Sequence, residues 1–202
     1  MSKSESREQL SSPQPKRSQS RGVKRARELL DIATELFISK GIEETTIDDI
    51  VAHAGTAKGT FYHHYSSKAD LLLAIKKSHR EDFDSYIERE LEKQTSDPIV
   101  RLEAWVRAIC EAYALMVNRQ DIAFSGAGFR WTPRDMKHME DLVALLQQGN
   151  KQSTWHVKDV YKVAIFIEKG VIGVMDDLIL TNRSLKNAHR SVIEMVRHIV
   201  GL

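Results

Sequence analysis

The sequence predicts an all-α protein, and three features of its pattern indicate this fold class. Apolar residues recur at spacings of three and four along most of the 202 residues, as they do in helices that bury one face. No segment alternates polar and apolar residues in the manner of a half-buried strand. Glycines, prolines and hydroxyl residues separate the periodic segments, where helices end and begin. We therefore expect helices joined by short loops.

Residues 1–20 differ from the rest of the chain. They contain seven serines and two prolines, but only two large apolar residues, Met1 and Leu10. Such a segment buries too little surface to offset the entropy lost on ordering, so we predict a disordered tail. A run of basic side chains with no acidic residue among them begins in the last part of this tail and continues past it: Lys16, Arg17, Arg21, Lys24, Arg25 and Arg27. This run is either a solvated tail or a means of neutralising nucleic-acid phosphates.

The first two predicted helices have clear boundaries. The first begins near Val23 and stops before Gly41, which supplies the left-handed residue common after a helix. The second begins at Thr45 or Thr46, since each hydroxyl has an aspartate three residues later, close to a capping box. Gly55 then permits a sharp turn.

A third, short helix is predicted over residues 57–64. Two short helices joined by a tight turn, and preceded by a longer helix, are the arrangement of a helix-turn-helix. At 100° per residue, Ala57, Phe61 and Tyr65 share one face of this third helix, which we expect to point inwards. Lys58 and Tyr62 lie one turn apart on another face.

Helical periodicity continues to the end of the chain. We predict a fourth helix from Ser67 to about Leu91, a fifth beyond Pro98, a sixth from Pro133 to about Leu146, a seventh from about Val157 to Leu180 and a last from about Leu185 to Val200. The expected organisation is a tail (1–20), a helix-turn-helix domain (21–67) and a helical regulatory and dimerisation domain (68–202).

Composition excludes several classes of protein. A single cysteine, Cys110, rules out an internal disulfide and a cysteine-rich zinc site. No apolar run approaches the roughly 20 residues of a membrane span, and the serine-rich start lacks the apolar core of a signal peptide. We therefore expect a cytoplasmic protein without a membrane partner.

Catalytic and metal-binding patterns are also missing from the sequence. There is no His-Glu-x-x-His, no Walker loop and no Gly-x-Ser-x-Gly. The adjacent His63 and His64 point about 100° apart on a helix, a poor arrangement for holding one metal. His138, with Glu140 and Asp141, is interpreted as a solvated cluster on a surface helix. We predict no enzymatic activity, no cofactor and no metal.

Residues 27–75 resemble the DNA-binding domain of the TetR/AcrR family of helix-turn-helix transcriptional regulators. The matching stretches are Lys-Gly at 40–41, Thr-Thr-Ile-Asp-Asp-Ile at 45–50, Ala-Gly at 54–55, Lys-Gly-Thr-Phe-Tyr-His-His-Tyr at 58–65, Lys68, and the leucines at 71–72. Thr56 and Ala57 depart from the aliphatic and hydroxyl residues usual after the turn glycine. The resemblance implies a homodimer on a palindromic, double-stranded operator, with repression relieved by a small molecule.

The third helix is the expected reader of DNA, since this helix enters the major groove in such motifs. Lys58 is placed to donate to guanine, and Gly59 to let the backbone approach base edges. The resemblance implies that Tyr62, His63, Thr46 and Lys68 contact phosphate or sugar. For His64, packing and phosphate contact stay open. The predicted DNA-binding residues are Thr46, Lys58, Gly59, Thr60, Tyr62, His63, His64 and Lys68.

The last two helices are candidates for a dimer interface. The seventh is apolar on several sides, so it must be covered on several sides. With the last helix it would form a four-helix interface across a two-fold axis, although a central core helix of a monomer has the same pattern. The predicted interface residues are Val160, Ala164, Ile167, Val171, Val174, Leu178, Val192, Met195, Val196 and Ile199.

Aromatic and methionine side chains of the C-terminal part suit a pocket for a small apolar or aromatic ligand. The candidates are Trp105, Cys110, Tyr113, Phe124, Phe129, Trp131, Met136, Met139 and Trp155, although side chains at this spacing also form ordinary core. Two rival functions stay open: a regulator that binds no small molecule, and an architectural protein that binds DNA without sequence preference.

Overall fold

The computed structural model describes residues 17–124 and 136–202, with the backbone alone at 17–20 and 117–124. These residues form eight α-helices, which confirms the predicted all-α fold. The helices are α1 (Arg17–Lys40), α2 (Ile47–His53), α3 (Lys58–His64), α4 (Lys68–Glu92), α5 (Pro98–Phe124), α6 (Lys137–Lys151), α7 (Val160–Leu180) and α8 (Ala188–Val200).

Helix α1 begins at Arg17, six residues before the predicted start, and so includes the last four residues of the predicted tail. Extending an existing helix costs little, because each added residue gains a backbone hydrogen bond. Residues 1–16 lie outside the described residues, as does the start predicted for the sixth helix at Pro133.

The chain divides into two compact units, one ending at Lys68 and the other running from Ala69 to Leu202. In the first unit α1 packs against α2, and α2 against α3. Leu29 and Ala33 of α1, Ile50 of α2 and Phe61 of α3 are fully buried and form its core. The Tyr65 hydroxyl, just after α3, donates to the carbonyl of Ala26 at 3.0 Å.

In the second unit α5 packs against α6, α7 and α8, and α7 also contacts α6 and α8. Two buried indoles join these helices and satisfy their own N–H groups. Trp105 Nε1 donates to the His138 carbonyl at 3.0 Å, and Trp155 Nε1 donates to the Leu146 carbonyl at 2.9 Å.

Most of the apolar stripe predicted as a dimer interface is instead core of the chain itself. The buried members are Ala164, Ile167, Val171, Val192 and Val196, while Val160, Val174 and Leu178 are half-buried. Only Met195 and Ile199 are exposed, at 48% and 39%. The periodicity correctly marks a face that avoids water, but it does not say which chain covers that face; here α5, α6 and α8 do.

Among the described helices, none combines the length and apolar character needed to cross a bilayer.

Candidate nucleic-acid interface

Helix α2 is held at its start by a complete capping box at Thr46. The Thr46 hydroxyl accepts from the backbone N–H of Asp49 at 3.1 Å, and the Thr46 N–H donates to the Asp49 carboxylate at 2.8 Å. Lys40 also reaches this carboxylate, at 2.7 Å. The bonds from Lys40 and then Thr46 hold the pKa of Asp49 well below its usual range, so the cap stays charged at neutral pH.

The turn between α2 and α3 depends on Gly55, whose φ of +58° lies in the left-handed region that favours glycine. Ala57 is the N-cap of α3, where it is exposed and makes no side-chain cap bond. The expected inward position of Ala57 is therefore wrong. A cap residue lies outside the helical backbone, so the 100° rule does not apply to it.

Four neighbouring residues of α3 present an exposed surface. Lys58, Gly59, Tyr62 and His63 are all exposed, and half of the Tyr62 surface (51%) is open to solvent. Phe61, between them in sequence, is fully buried. The Phe61 anchor thus fixes the rotation of this short helix and directs the opposite side chains outwards. We call Lys58, Gly59, Tyr62 and His63 the recognition surface.

Lys58 is already paired within the unit. Its Nζ lies 2.9 Å from Asp48 Oδ1 of α2, and this bond raises the pKa of Lys58. Both side chains are exposed, at 52% and 71%, so the pair is open to exchange with solvent and with other acceptors. Asp48 therefore orients Lys58 while leaving its other N–H bonds free for a base edge or phosphate.

Lys68 does not fit the predicted role of a side chain that contacts phosphate. Its Nζ donates to the carbonyls of Ile42, Glu43 and Thr45 at 2.8, 3.2 and 3.1 Å. An ammonium has three N–H bonds, and all three are used here. Lys68 closes the loop between α1 and α2, and the sequence pattern alone could not distinguish this role from DNA contact.

The remaining three predicted DNA contacts differ in how far their side chains are exposed. Thr60 and His64 are half-buried. The His64 ring meets that of His63 edge-on, with centroids 5.0 Å apart, and lies close to Gly22 of α1. Packing therefore accounts for at least part of the role of His64. Thr46 is exposed beside the α2 start, although its hydroxyl already caps that helix.

The basic side chains on α1 differ in whether they are paired with acidic residues of the same helix. Arg25 is paired with Glu28 at 2.7 Å, and Arg27 with Asp31 at 3.1 Å. Arg21 and Lys24 are exposed on the same helix. The side chains of Lys16 and Arg17 lie outside the described residues. Such pairs can be predicted from the sequence, because an acidic residue three or four positions after a basic one lies next to it on the surface of a helix.

We expect Gly59→Ala to separate folding from DNA contact. A Cβ at this position meets no other atom within 4 Å, and alanine is favoured over glycine in helices by up to about 1 kcal/mol. The thermal midpoint should therefore stay the same or rise, while affinity for a specific DNA site falls because the methyl group blocks close approach. Scanning calorimetry and fluorescence anisotropy measure the two effects. Unchanged affinity would show that DNA does not approach this backbone.

In the second unit the predicted ligand-lining residues mostly belong to the core. Trp105, Cys110, Tyr113, Met139 and Trp155 are buried and Met136 half-buried, whereas the side chains of Phe124, Phe129 and Trp131 lie outside the described residues. Burial raises the pKa of the Cys110 thiol to about 11, which keeps it protonated and unreactive.

The sequence interpretation of His138 as a solvated surface residue is wrong. Its side chain is 4% exposed and its Nδ1 lies 2.5 Å from Asp84 Oδ1 of α4. Glu168 of α7 is 1% exposed and places Oε1 4.0 Å from His138 Nε2. The partners lie 54 and 30 positions away in sequence, so only folding brings them together. We call Asp84, His138 and Glu168 the buried triad.

The triad should make stability depend on pH. Burial opposes each charge, but the carboxylates of Asp84 and Glu168 outweigh it and raise the pKa of His138 above 6.5. Burial likewise opposes ionisation of Asp84 and Glu168, yet His138 holds the pKa of both carboxyls below their usual values. The histidine contribution is complete below pH 6.5 and is lost as pH rises through the raised pKa; the carboxylate contribution is lost in acid.

We therefore expect the unfolding free energy in urea to fall as pH rises from about 6.5. His138→Gln should lose this component, whereas His156→Asn, at an exposed histidine of the same unit, should retain it. Identical pH profiles for the wild type and His138→Gln would contradict the assignment.

The first unit is thus a helix-turn-helix, in which a short helix anchored by one buried aromatic residue presents an exposed polar face. Residues 29–75 match the family described as bacterial regulatory proteins, tetR family. Residues 29–75 therefore form a DNA-binding domain like that of the TetR family.

Among curated relatives, the HTH-type transcriptional repressor KstR2 of Rhodococcus jostii is 39% identical over 89 residues, or 44% of this chain and 43% of that protein. The HTH-type transcriptional activator FasR of Mycolicibacterium smegmatis is 36% identical over 40% of this chain and 36% of its own length. The chain thus spans less than half of each. The regulator QacR of Staphylococcus aureus is 25% identical over 73% of this chain and 82% of that protein.

The structural similarity to solved proteins covers more of the chain than these sequence matches do. The solved structure of the fatty acid degradation regulator FadR from Bacillus halodurans superimposes with a TM-score of 0.69, covering 88% of this chain and 96% of that one, at 17% identity. At this identity the likeness shows the fold alone.

Proposed function

We propose that the protein is a sequence-specific DNA-binding transcriptional regulator that acts as a repressor. The observation that carries the proposal is the recognition surface: Lys58, Gly59, Tyr62 and His63 are exposed together on the second helix of a helix-turn-helix. Lysine and histidine donors, a tyrosine hydroxyl and a glycine without a side chain suit contact with base edges and phosphates. Relatives named as repressors support the direction of regulation.

A homodimer provides the second half of the binding site. A single small module buries little DNA surface, and dimers read two half-sites about one helical turn, roughly 34 Å, apart. The exposed apolar residues Phe166 (66%) and Leu180 (84%) lie on α7, and Met195 and Ile199 lie on α8. Exposed apolar groups on two packed helices are the surface that a second copy would cover.

We expect Phe166→Glu to convert the dimer into a monomer, because a second copy would bury two added charges without partners. Leu115→Glu is a matched control, since Leu115 of α5 is exposed to nearly the same degree (69%). Sedimentation equilibrium should show the control at the wild-type mass. A wild-type mass for Phe166→Glu as well would place the interface elsewhere.

Selection of binding sites from random duplex DNA, at near-physiological salt, tests the proposal directly. An inverted repeat of fixed spacing is the expected result. Recovery of no motif, with tight binding that weakens steeply with salt, would instead support the architectural protein. Binding of neither kind would contradict DNA regulation by this chain.

We propose that a small molecule bound in the second unit releases the DNA. Its binding would favour a conformation whose recognition surfaces do not match the half-site spacing, which shifts the population away from the DNA-bound form. One related fold was solved in complex with choline, which supports ligand binding in this class. A regulator without a ligand would keep the same operator affinity in every ligand screen.

A further inference from the structure

Asp48 is an exposed carboxylate beside the recognition surface, and the cap of α2 does not use it. The capping box uses Asp49, which already accepts from Thr46 and Lys40. Asp48 lies one position earlier, with 71% of its side chain exposed. Phosphates repel a negative charge on a surface that meets DNA, so a carboxylate at this place needs a role other than capping.

Lys58 and Asp48 present a hydrogen-bond donor and an acceptor side by side. The Lys58 ammonium lies 2.9 Å from Oδ1 and 3.1 Å from Oδ2 of Asp48. An ammonium has three N–H bonds, and a carboxylate accepts at about four lone-pair positions. Both groups are exposed, so both keep hydrogen-bonding capacity for a third molecule at the start of α3.

The pair carries no net charge, and this favours a base edge over a phosphate. A single lysine binds any phosphate and releases counterions from the DNA. A lysine with its own carboxylate gains less from the backbone, because the phosphate repels the carboxylate while it attracts the ammonium. Base edges in the major groove instead present donors and acceptors next to each other.

The spacing of the pair matches one base pair in particular. In a G·C pair, guanine presents two acceptors, N7 and O6, next to the N4 amino donor of cytosine. A hydrogen bond of the base pair joins O6 to N4, so these atoms lie about 2.9 Å apart, as Lys58 Nζ and Asp48 Oδ1 do. In an A·T pair the amino donor lies between two acceptors, an order that one ammonium beside one carboxylate does not match.

We propose that Lys58 and Asp48 together read one G·C base pair in each half-site. Lys58 donates to the guanine, and Asp48 accepts from the N4 amino group of the paired cytosine. Asp48 is thus a specificity-determining residue on α2, outside the recognition surface of α3. This inference rests on the proposed function and deepens it, because it names the base pair that one part of the interface reads.

The first experiment repeats the selection from random duplex DNA with Asp48→Ala and compares the selected motif with that of the wild type. We expect the wild-type motif to contain a G·C pair at one position of each half-site. The variant should lose the preference at that position and keep the others. Glu35→Ala should select the wild-type motif, because Glu35 of α1 is another exposed carboxylate of the same unit. Thermal midpoints confirm that both variants fold.

Operators with N4-methylcytosine at that position test the contact of Asp48 directly. The methyl group replaces the cytosine N–H that faces the major groove and leaves the N–H that pairs with guanine. The wild type should bind the methylated operator at least about tenfold more weakly, the effect of losing one base contact. Asp48→Ala should bind both operators equally. An Asp48 that only orients Lys58 would leave the wild type and the variant with the same response to methylation.

Failure of the base-pair assignment and failure of the proposed function give different results. A motif that Asp48→Ala leaves unchanged, or an Asp48-dependent position other than G·C, would overturn the assignment while the regulator stands. Equal wild-type affinity for the methylated and unmethylated operators would overturn it as well. A wild type that selects no motif would contradict the proposed function itself, and the assignment with it.

Discussion

Lys58→Ala should lower the affinity for the selected operator by about tenfold to a hundredfold, and Tyr62→Ala by about tenfold, as losses of groove and backbone contacts do. Lys58 is exposed and oriented by Asp48 rather than enclosed by it, so its loss removes a DNA contact without opening the core. Tyr62 is half exposed one turn later on the same surface of α3. Fluorescence anisotropy with the operator and with scrambled DNA measures both effects.

Lys162→Ala is the matched control for Lys58→Ala. Lys162 of α7 also pairs with one aspartate at 2.9 Å, Asp159, and is likewise exposed. It lies in the other unit, so operator affinity should not change. Equal operator affinity for the wild type, Lys58→Ala and Tyr62→Ala would show that the recognition surface is not the surface that reads DNA.

Gly149→Ala should cost about 3 kcal/mol of unfolding free energy, at the upper end of overpacking effects. A Cβ on Gly149 would lie 2.0 Å from Trp155 Cε2 and 2.5 Å from its Nε1. The indole is buried and donates to the Leu146 carbonyl, so it cannot move away without losing both packing and a hydrogen bond. Urea denaturation followed by circular dichroism gives the free energy.

A second substitution identifies the cause of this loss. In a Trp155→Ala background the clash is gone, so Gly149→Ala should cost far less than it does alone. Gly59→Ala serves as the control for adding a methyl group to a helical glycine, because nothing lies within 4 Å of its new Cβ. A cost for Gly149→Ala that is unchanged without the indole would contradict the contact with Trp155.

The helix-turn-helix could be predicted from the sequence because its signals are local. The capping pair Thr46 and Asp49, the turn at Gly55 and the buried Phe61 lie within 16 consecutive residues. Caps, turns and helical faces depend on neighbours one to four positions away. The 100° rule fails at Ala57, because this residue is the N-cap and lies one position before the helix.

The roles of charged residues could not be predicted in the same way. Lys68 has the sequence context of a DNA contact, yet it binds carbonyls 23 to 26 positions earlier. A lysine side chain reaches whichever acceptors the fold brings near, and sequence spacing does not report that distance. The pairing of Lys58 with Asp48, 10 positions away, depends likewise on the angle between two helices.

The sequence by itself determined the all-α fold, the helix-turn-helix and the candidate recognition surface, because each depends on patterns within a few helical turns. Only the tertiary structure decided that Ala164, Ile167 and Val171 are covered by the same chain. It alone brought Asp84, His138 and Glu168 together from three helices. An apolar face in the sequence indicates that this face must avoid water, and a buried charged group indicates that it needs a partner. Packing in three dimensions decides which surface covers the face and which group pairs with the charge.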